Sequence, residues 1–383
     1  MFAKSKKIFK FRKYCNYLFL FACILFFFFL IACNFKGEGK KESKRQFAKF
    51  KVIISDENDD FIDLKHLDYD RKSKAIYGLY FGMQRNMARH YYRLSLTPPY
   101  KVVILGVIGQ GPDKLKNPPL SIRFLDDLVM VGSGKTIKLF DRNENFVSII
   151  DGLPVYPADF YFKDGILSLL TVRYIHQAKD EDDVFFRYDI GNKKILKSIK
   201  FGDIKRVFEK NEIDFSKLEA YTNFEGKVIN EDIAVISIPN TNLFNRNAFA
   251  ILDLKNNKIT FFKAKPHYEY STFSSVFISS VSKDKFLVIE KETVCSLQKA
   301  RQLSTKSITK KIEKRRHPLL FCIHKVSMEG KEEKVYSFSL KEKDLLVVNC
   351  HDLIEIEPEK FVLCVRFTHR DDYTDAIILW DAN

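Results

Sequence analysis

Between Gly109 and Asp151 the chain alternates apolar and polar residues in four short runs. Leu120–Phe124, Leu128–Gly132, Thr136–Asp141 and Phe146–Asp151 are rich in β-branched and aromatic residues. They are separated by Leu125-Asp126-Asp127, Ser133-Gly134-Lys135 and Arg142–Asn145. A period of two, broken by Gly, Asp and Asn, predicts strands joined by tight turns. The last turn recurs. Phe140-Asp141-Arg142-Asn143-Glu144-Asn145-Phe146 is echoed by Tyr188-Asp189-Ile190-Gly191-Asn192-Lys193-Lys194-Ile195 and by Leu252-Asp253-Leu254-Lys255-Asn256-Asn257-Lys258-Ile259. A large apolar residue ends one strand, Asp and Asn shape the turn, and an apolar residue restarts the ladder.

Four-stranded units repeated along a chain predict an all-β propeller. Six blades are expected: Asp63–Val107, Gly109–Asp151, Phe160–Lys200, Glu225–Ala264, Ser275–Leu340 and Leu353–Ala382. Ile204–Asn223 has no clear strand pattern and leaves room for a seventh, poorer repeat. Trp380-Asp381 opens the same turn but lacks a following strand, so Phe50–Ile54 is expected to complete the last blade and close the ring. GQGPDKLKNP followed by VMVGSGKTIKLFDRNENFV resembles the NHL-type repeat of six-bladed propellers, including the propeller lipoproteins of bacteria. The resemblance rests on the Gly-x-Gly-Pro lead-in and the Ile-Lys-Leu-Phe-Asp strand of one blade, and it implies a propeller lipoprotein.

Hydropathy sets the start of the chain apart. Residues 1–32 carry Lys4, Lys6, Lys7, Lys10, Arg12 and Lys13 and no acid, and Tyr17–Ile31 is an apolar run. That run is short for a membrane span of roughly 20 residues but suits a signal-peptide core. It stops at Leu30-Ile31-Ala32-Cys33, which resembles the bacterial lipobox; the motif implies a diacylglycerol on Cys33 and two acyl chains in a bilayer. The alternative is an uncleaved signal anchor. Residues 33–49 then read as a lipidated, Lys-rich tether, and 50–383 as the propeller domain. The expected location is the bacterial cell envelope.

The formal charge of +15 is unevenly spread. Most of the excess falls in the first 50 residues and in Val294–His317, leaving the propeller body near neutral. This argues against nucleic acid as a partner. Second-to-third strand loops and the links between blades share one face of a propeller ring. Here five of the six such loops, at Met83–Arg89, Ile175–Asp183, Thr241–Asn247, Thr293–His317 and His369–Thr374, exceed what a hairpin needs. Loops of that kind carry recognition. The candidate binding residues are Arg85, Arg89, His176, Arg246, Lys310, Lys311, Arg315, Arg316, His369 and Arg370. The middle of Thr293–His317 reads either as an amphipathic basic helix with Leu303 and Ile308 on one side, suited to anionic lipid, or as an unstructured insertion.

Enzyme motifs are poorly represented. Gly132-Ser133-Gly134-Lys135-Thr136 imitates the end of a phosphate loop, but Val129 stands where its first glycine is needed. Asp56-Glu57-Asn58-Asp59-Asp60 begins like a calcium loop, yet Phe61 and Leu67 occupy the glycine and glutamate positions; a looser cation site in Asp56–Asp63 stays open. The eight histidines show no metal-ligand spacing, and His324 is expected to pack on a strand. Neither a metal nor another cofactor is called for. Channel-facing positions offer Arg123, Asp159, Tyr161 and Glu355. Cys295, Cys322, Cys350 and Cys364 do not make a disulfide framework, although one pair is permitted. The expected function is non-enzymatic binding of an envelope protein or a carbohydrate, the competing class a metal-dependent hydrolase or lyase working in the central channel.

Overall fold

The computed structural model describes residues 49–55, 63–81, 90–106, 109, 111, 113–171, 175–218, 224–238, 248–268, 271–282, 284–292, 320–339, 346–369 and 372–382. These form six four-stranded antiparallel sheets whose innermost strands meet their neighbours around a ring. The chain is therefore a six-bladed β-propeller. Blade 1 comprises β2 (Asp63–Asp70), β3 (Ala75–Phe81), β4 (His90–Ser95) and β5 (Val102–Leu105). Blade 2 has β6 (Pro119–Leu125), β7 (Leu128–Ser133), β8 (Thr136–Phe140) and β9 (Phe146–Ile150), as its alternation predicts. Blade 3 runs through β10 (Pro157–Lys163), β11 (Ile166–Thr171), β12 (Asp183–Asp189) and β13 (Lys194–Lys200). Blade 4 takes β14 (Glu225–Val228), β15 (Ile233–Ser237), β16 (Ala248–Asp253) and β17 (Lys258–Lys263). Blade 5 is built of β18 (Ser271–Ile278), β19 (Lys285–Glu292), β20 (Leu320–Ser327) and β21 (Glu332–Ser339).

Blade 6 combines both ends of the domain. Its strands are β22 (Leu346–Glu357), β23 (Lys360–His369), β24 (Asp372–Asp381) and, outermost, β1 (Lys49–Ser55). β1 lies antiparallel to β24, with Lys49 opposite Asp381 and Ser55 opposite Ala376. The N-terminal strand thus supplies the missing fourth strand and removes an open edge.

The recurrent turn works as its residues imply. Asp141 accepts the backbone N–H groups of Asn143 and Asn145 at 2.8 and 2.9 Å. Asp189 and Asp253 each accept from the backbone and side-chain nitrogens of the Asn three residues on, at 2.7 to 3.0 Å. On the same face of the ring, Asp126 and Asp127 take φ values of 48° and 67°, the left-handed pair that a two-residue hairpin between Leu125 and Leu128 requires.

The six-blade expectation holds, and one loop is corrected. Among the described residues after blade 3, 201–218 form helix α1 (Phe201–Lys210) and a 3-10 turn at Phe215–Lys217 rather than strands of a seventh repeat. Phe201, Ile204 and Phe208 fall on one helical face and are buried with Phe215 and Phe224 between blades 3 and 4. The connection at His369–Thr374 is not a long loop, since β23 continues to His369 and pairs it with Asp372 at the start of β24. Its polar residues resemble a loop in sequence, but the ladder is held by the backbone and takes in His369, Asp372 and Thr374.

Both faces of each blade pack on neighbours. Tyr77 and Tyr91 of blade 1 are buried with Ile122, Val131 and Phe140 of blade 2. Trp380 stacks on Phe361 with ring centres 5.4 Å apart and meets Phe338 of blade 5 at 4.7 Å. Cys322 and Cys364 lie in neighbouring blades, and with Cys350 they are buried thiols.

Candidate functional site

Inner strands of a propeller can line a channel or staple the ring, depending on what their polar side chains bond. The ladder of each of β2, β6, β10 and β22 slips by a bulge, and it resumes at Asp68, Ser121, Asp159 and Asp352 respectively. A bulge re-aims the side chain beside it, and each of these four reaches the next blade. Asp68 accepts the Phe124 N–H at 2.9 Å, and Ser121 donates to the Pro157 carbonyl at 3.2 Å. Pro157 has no N–H to offer, which suits a hydroxyl rather than a carboxylate. Asp159 accepts from Val228 at 2.8 Å, and Asp352 accepts from His66 at 2.5 Å.

Cations complete the seam. Arg123 forks onto Asp159 through Nε (2.9 Å) and Nη2 (2.5 Å), and Nη2 also donates to the Val228 carbonyl. Glu355 accepts from Lys325 at 2.7 and 2.8 Å and from Ser279 at 2.5 Å, joining blades 5 and 6. Lys227 of blade 4 contacts His66 Nδ1 of blade 1 at 3.2 Å, so it spans the ring axis between opposite blades. Burial pushes Asp352 up to about 6 against the pull of Lys227 and its backbone donors. Burial likewise raises Asp68, with Arg123 opposing.

A second polar cluster lies off the axis, on the face of blade 5 turned toward blade 4. In β19 and β20 the side-chain positions that alternate with the blade 6 contacts are Phe286, Val288 and Glu290, and Cys322, His324 and Val326. Glu290 accepts from His324 Nε2 (3.1 Å) and from the backbone N–H groups of His267 (2.9 and 3.1 Å) and Tyr268 (3.3 Å). His324 Nδ1 stands 2.5 Å from a Glu332 carboxylate oxygen, and His267 Nδ1 stands 3.3 Å from Glu290. The Cys322 thiol sits between the Tyr268 hydroxyl (2.9 Å) and the Ser337 hydroxyl (3.1 Å). Burial opposes charge on both Glu290 and His324. Hydrogen bonds from His324, Ser271 and the His267 N–H nevertheless hold the Glu290 carboxyl below its usual range, and the two glutamates raise His324.

His324 is packed on a strand, as expected. Its meeting with His267, ring centres 5.0 Å apart, was not visible in sequence spacing. The available signal was a Glu and a His at positions that strand alternation assigns to the interior.

Few of the sequence-derived binding residues can be placed. Cys33, Arg85, Arg89, Arg246, Lys310, Lys311, Arg315, Arg316 and Arg370 lie outside the described residues, as do residues 1–48, the 56–62 acidic stretch and the 293–319 loop. His176 is exposed on a 3-10 turn (Ile175–Gln177), where Nε2 bonds the Leu218 carbonyl at 2.6 Å. His369 ends β23. Of the channel candidates, Arg123, Asp159 and Glu355 are buried in the seam just described. Tyr161 instead borders an open cleft of about 390 Å³ with Lys163, Asn230, Glu231, Asp232, Ile233, Asp253 and Lys255. That cleft lies on the short-turn face, where Lys163 pairs with Glu231 at 2.8 Å and Arg187 with Asp232 at 2.7 Å.

No family model matches the sequence, and no curated protein matches it. Among solved structures, a member of the DUF4221 family from Bacteroides vulgatus is similar over 88% of this chain and 98% of its own, at 8% identity and a TM-score of 0.49. The Pan2 WD40 domain of Neurospora crassa is similar over 84% of this chain and 89% of its own, at 8% identity and a TM-score of 0.42. The blade count and strand order rest on the pairing described above.

Proposed function

We propose that this chain is a membrane-anchored lipoprotein of the bacterial envelope whose propeller, of the NHL type, binds a protein or carbohydrate partner without catalysis. Lys227 carries the reading: it reaches across the axis to His66, while Arg123, Asp159, Asp352 and Glu355 are spent on bonds between blades. Polar groups held this way stiffen a ring and are not free to work on a substrate in its channel. Chemistry is left to the loops between second and third strands and to the links between blades, which share a face. The anchoring part of the reading rests on the apolar run and Leu30-Ile31-Ala32-Cys33.

Two measurements test the proposal. Metabolic labelling with a radioactive fatty acid should mark the wild type and not Cys33→Ala; equal labelling rejects the lipid anchor. In-cell crosslinking should recover a specific partner from the wild type. Recovery should fall when Lys310, Lys311, Lys314, Arg315 and Arg316 are changed to Gln. Absence of any partner, with hydrolase activity in the purified protein, would replace binding by catalysis.

A further inference from the structure

The cluster on blade 5 has more ligating atoms than a hydrogen-bonded strut needs. One nitrogen of His267, one of His324 and a carboxylate oxygen of Glu332 lie within 4.8 Å of one another. They come from three separate pieces of backbone: the link entering blade 5, β20 and β21. We propose that His267, His324 and Glu332 bind one divalent transition-metal ion, zinc foremost, with Glu290 holding His324 in the ligating tautomer. The site stands independently of the partner-binding reading.

Four observations support it. First, two imidazoles and a carboxylate form a donor set suited to zinc, with a position left for water. Second, Glu290 accepts from His324 Nε2 at 3.1 Å, which leaves Nδ1 to point at Glu332. A ligating histidine held by a carboxylate on its other nitrogen is the usual support of such a site. Third, Glu290 and Glu332 together bring two negative charges, which one dication balances. Fourth, the cluster can be entered from solvent: the side chains of His267 and Glu332 are 37% and 35% exposed, while those of His324 and Glu290 are fully enclosed.

The required movement is small. Bonds of about 2.0–2.2 Å in a tetrahedron set donor atoms about 3.3–3.5 Å apart. The 2.5 Å gap between His324 Nδ1 and Glu332 must therefore widen by about 1 Å, and Glu332, on the outermost strand, has the exposure to move. Cys322 is assigned no place in the shell, because its sulfur already bridges the hydroxyls of Tyr268 and Ser337. The bound ion would stitch the link between blades 4 and 5 to the two outer strands of blade 5.

The test uses the full-length chain in detergent, stripped with a chelator and titrated with cobalt(II), then with zinc(II) as competitor. One equivalent of cobalt should bind with visible absorption of a four- or five-coordinate ion, and zinc should displace it. His267→Ala and Glu332→Gln, both at partly exposed positions, should fold and each weaken binding at least about ten-fold. Zinc should raise the thermal midpoint of the wild type and leave that of His267→Ala unmoved. Absent or substoichiometric binding overturns the proposal, as does equal binding by the variants. A sulfur-to-cobalt charge-transfer band would overturn this ligand assignment by placing Cys322 in the shell.

Discussion

Replacing Arg123 by Met tests whether the inner seam holds the ring. Both Arg123 and Asp159 are almost wholly enclosed, with side-chain exposures of 5% and 1%. The substitution keeps a long apolar stem but removes both prongs of the fork and the bond to the Val228 carbonyl. Asp159 would keep the Val228 N–H, 2.8 Å away, as its remaining described donor. Breaking a buried pair by deleting one partner costs about 3–5 kcal/mol. A ring of roughly 330 residues unfolds with an entropy near 0.7 kcal/mol/K, so the midpoint should fall by about 4–7 °C. Calorimetry would read the shift. Adding Asp159→Asn removes the stranded charge while its amide oxygen can still accept from Val228, so the double variant should recover about half of the loss. Arg206→Met provides the contrast, because Arg206 and Asp203 pair on the exposed side of α1 and should contribute under about 1 kcal/mol. A shift below about 1 °C for Arg123→Met, or a double variant no better than the single, would refute the seam argument.

Asp352 gives a pH signature. Its folded value of about 6 exceeds the ordinary 3.8, so the folded ring binds its proton more tightly than the unfolded chain does. The sign is therefore fixed: this contribution is fully present below the unfolded value and is lost as pH rises toward and through about 6, by up to ~3 kcal/mol. Denaturant midpoints at pH 4.5 and 7 should differ less in Asp352→Asn than in the wild type; equal differences would remove Asp352 as the source. Gly226→Ala should cost at least about 1–3 kcal/mol, since a Cβ there overlaps the Val235 carbonyl oxygen and meets the Ile236 Cα at 3.0 Å, both backbone. Gly191→Ala, with an Asp189 carboxylate oxygen at 3.4 Å, should be near neutral by the same urea titration. Deleting residues 49–55 should expose the β24 edge, lower the unfolding midpoint read from the single tryptophan, Trp380, and produce oligomers on gel filtration. A monomer of unchanged stability would contradict ring closure by β1.

The blades could be read because their signals are local. Alternation over a few residues and an Asp-to-Asn turn are decided within one hairpin, and blade 2 matches its pattern to within a residue or two. Closure was also legible, from a surplus strand at one end and a missing one at the other. Helix α1 carried its own signal in Phe201, Ile204 and Phe208, but one short 3.6-residue pattern is easily overlooked among repeats of period two. The pairing of His369 with Asp372 was obscured because a run such as His-Arg-Asp-Asp looks like a loop wherever a ladder ends near water. The seam and the blade 5 cluster are of another kind. Arg123 meets Asp159 and Val228, and His267 meets His324, only once blades stand side by side. No spacing along the chain encodes those distances.

Closure by β1 and β24 also orders events in time. The first of these strands leaves the ribosome long before its partner exists, and everything between must wait as an open arc. A product cut short before Ala376 has nothing to set against Ser55, so it keeps two raw sheet edges that a protease or chaperone can recognise. The penalty for joining segments so far apart grows only logarithmically with their separation. The last pairing is thus an inexpensive proofreading step: the ring shuts only around a chain translated through β24.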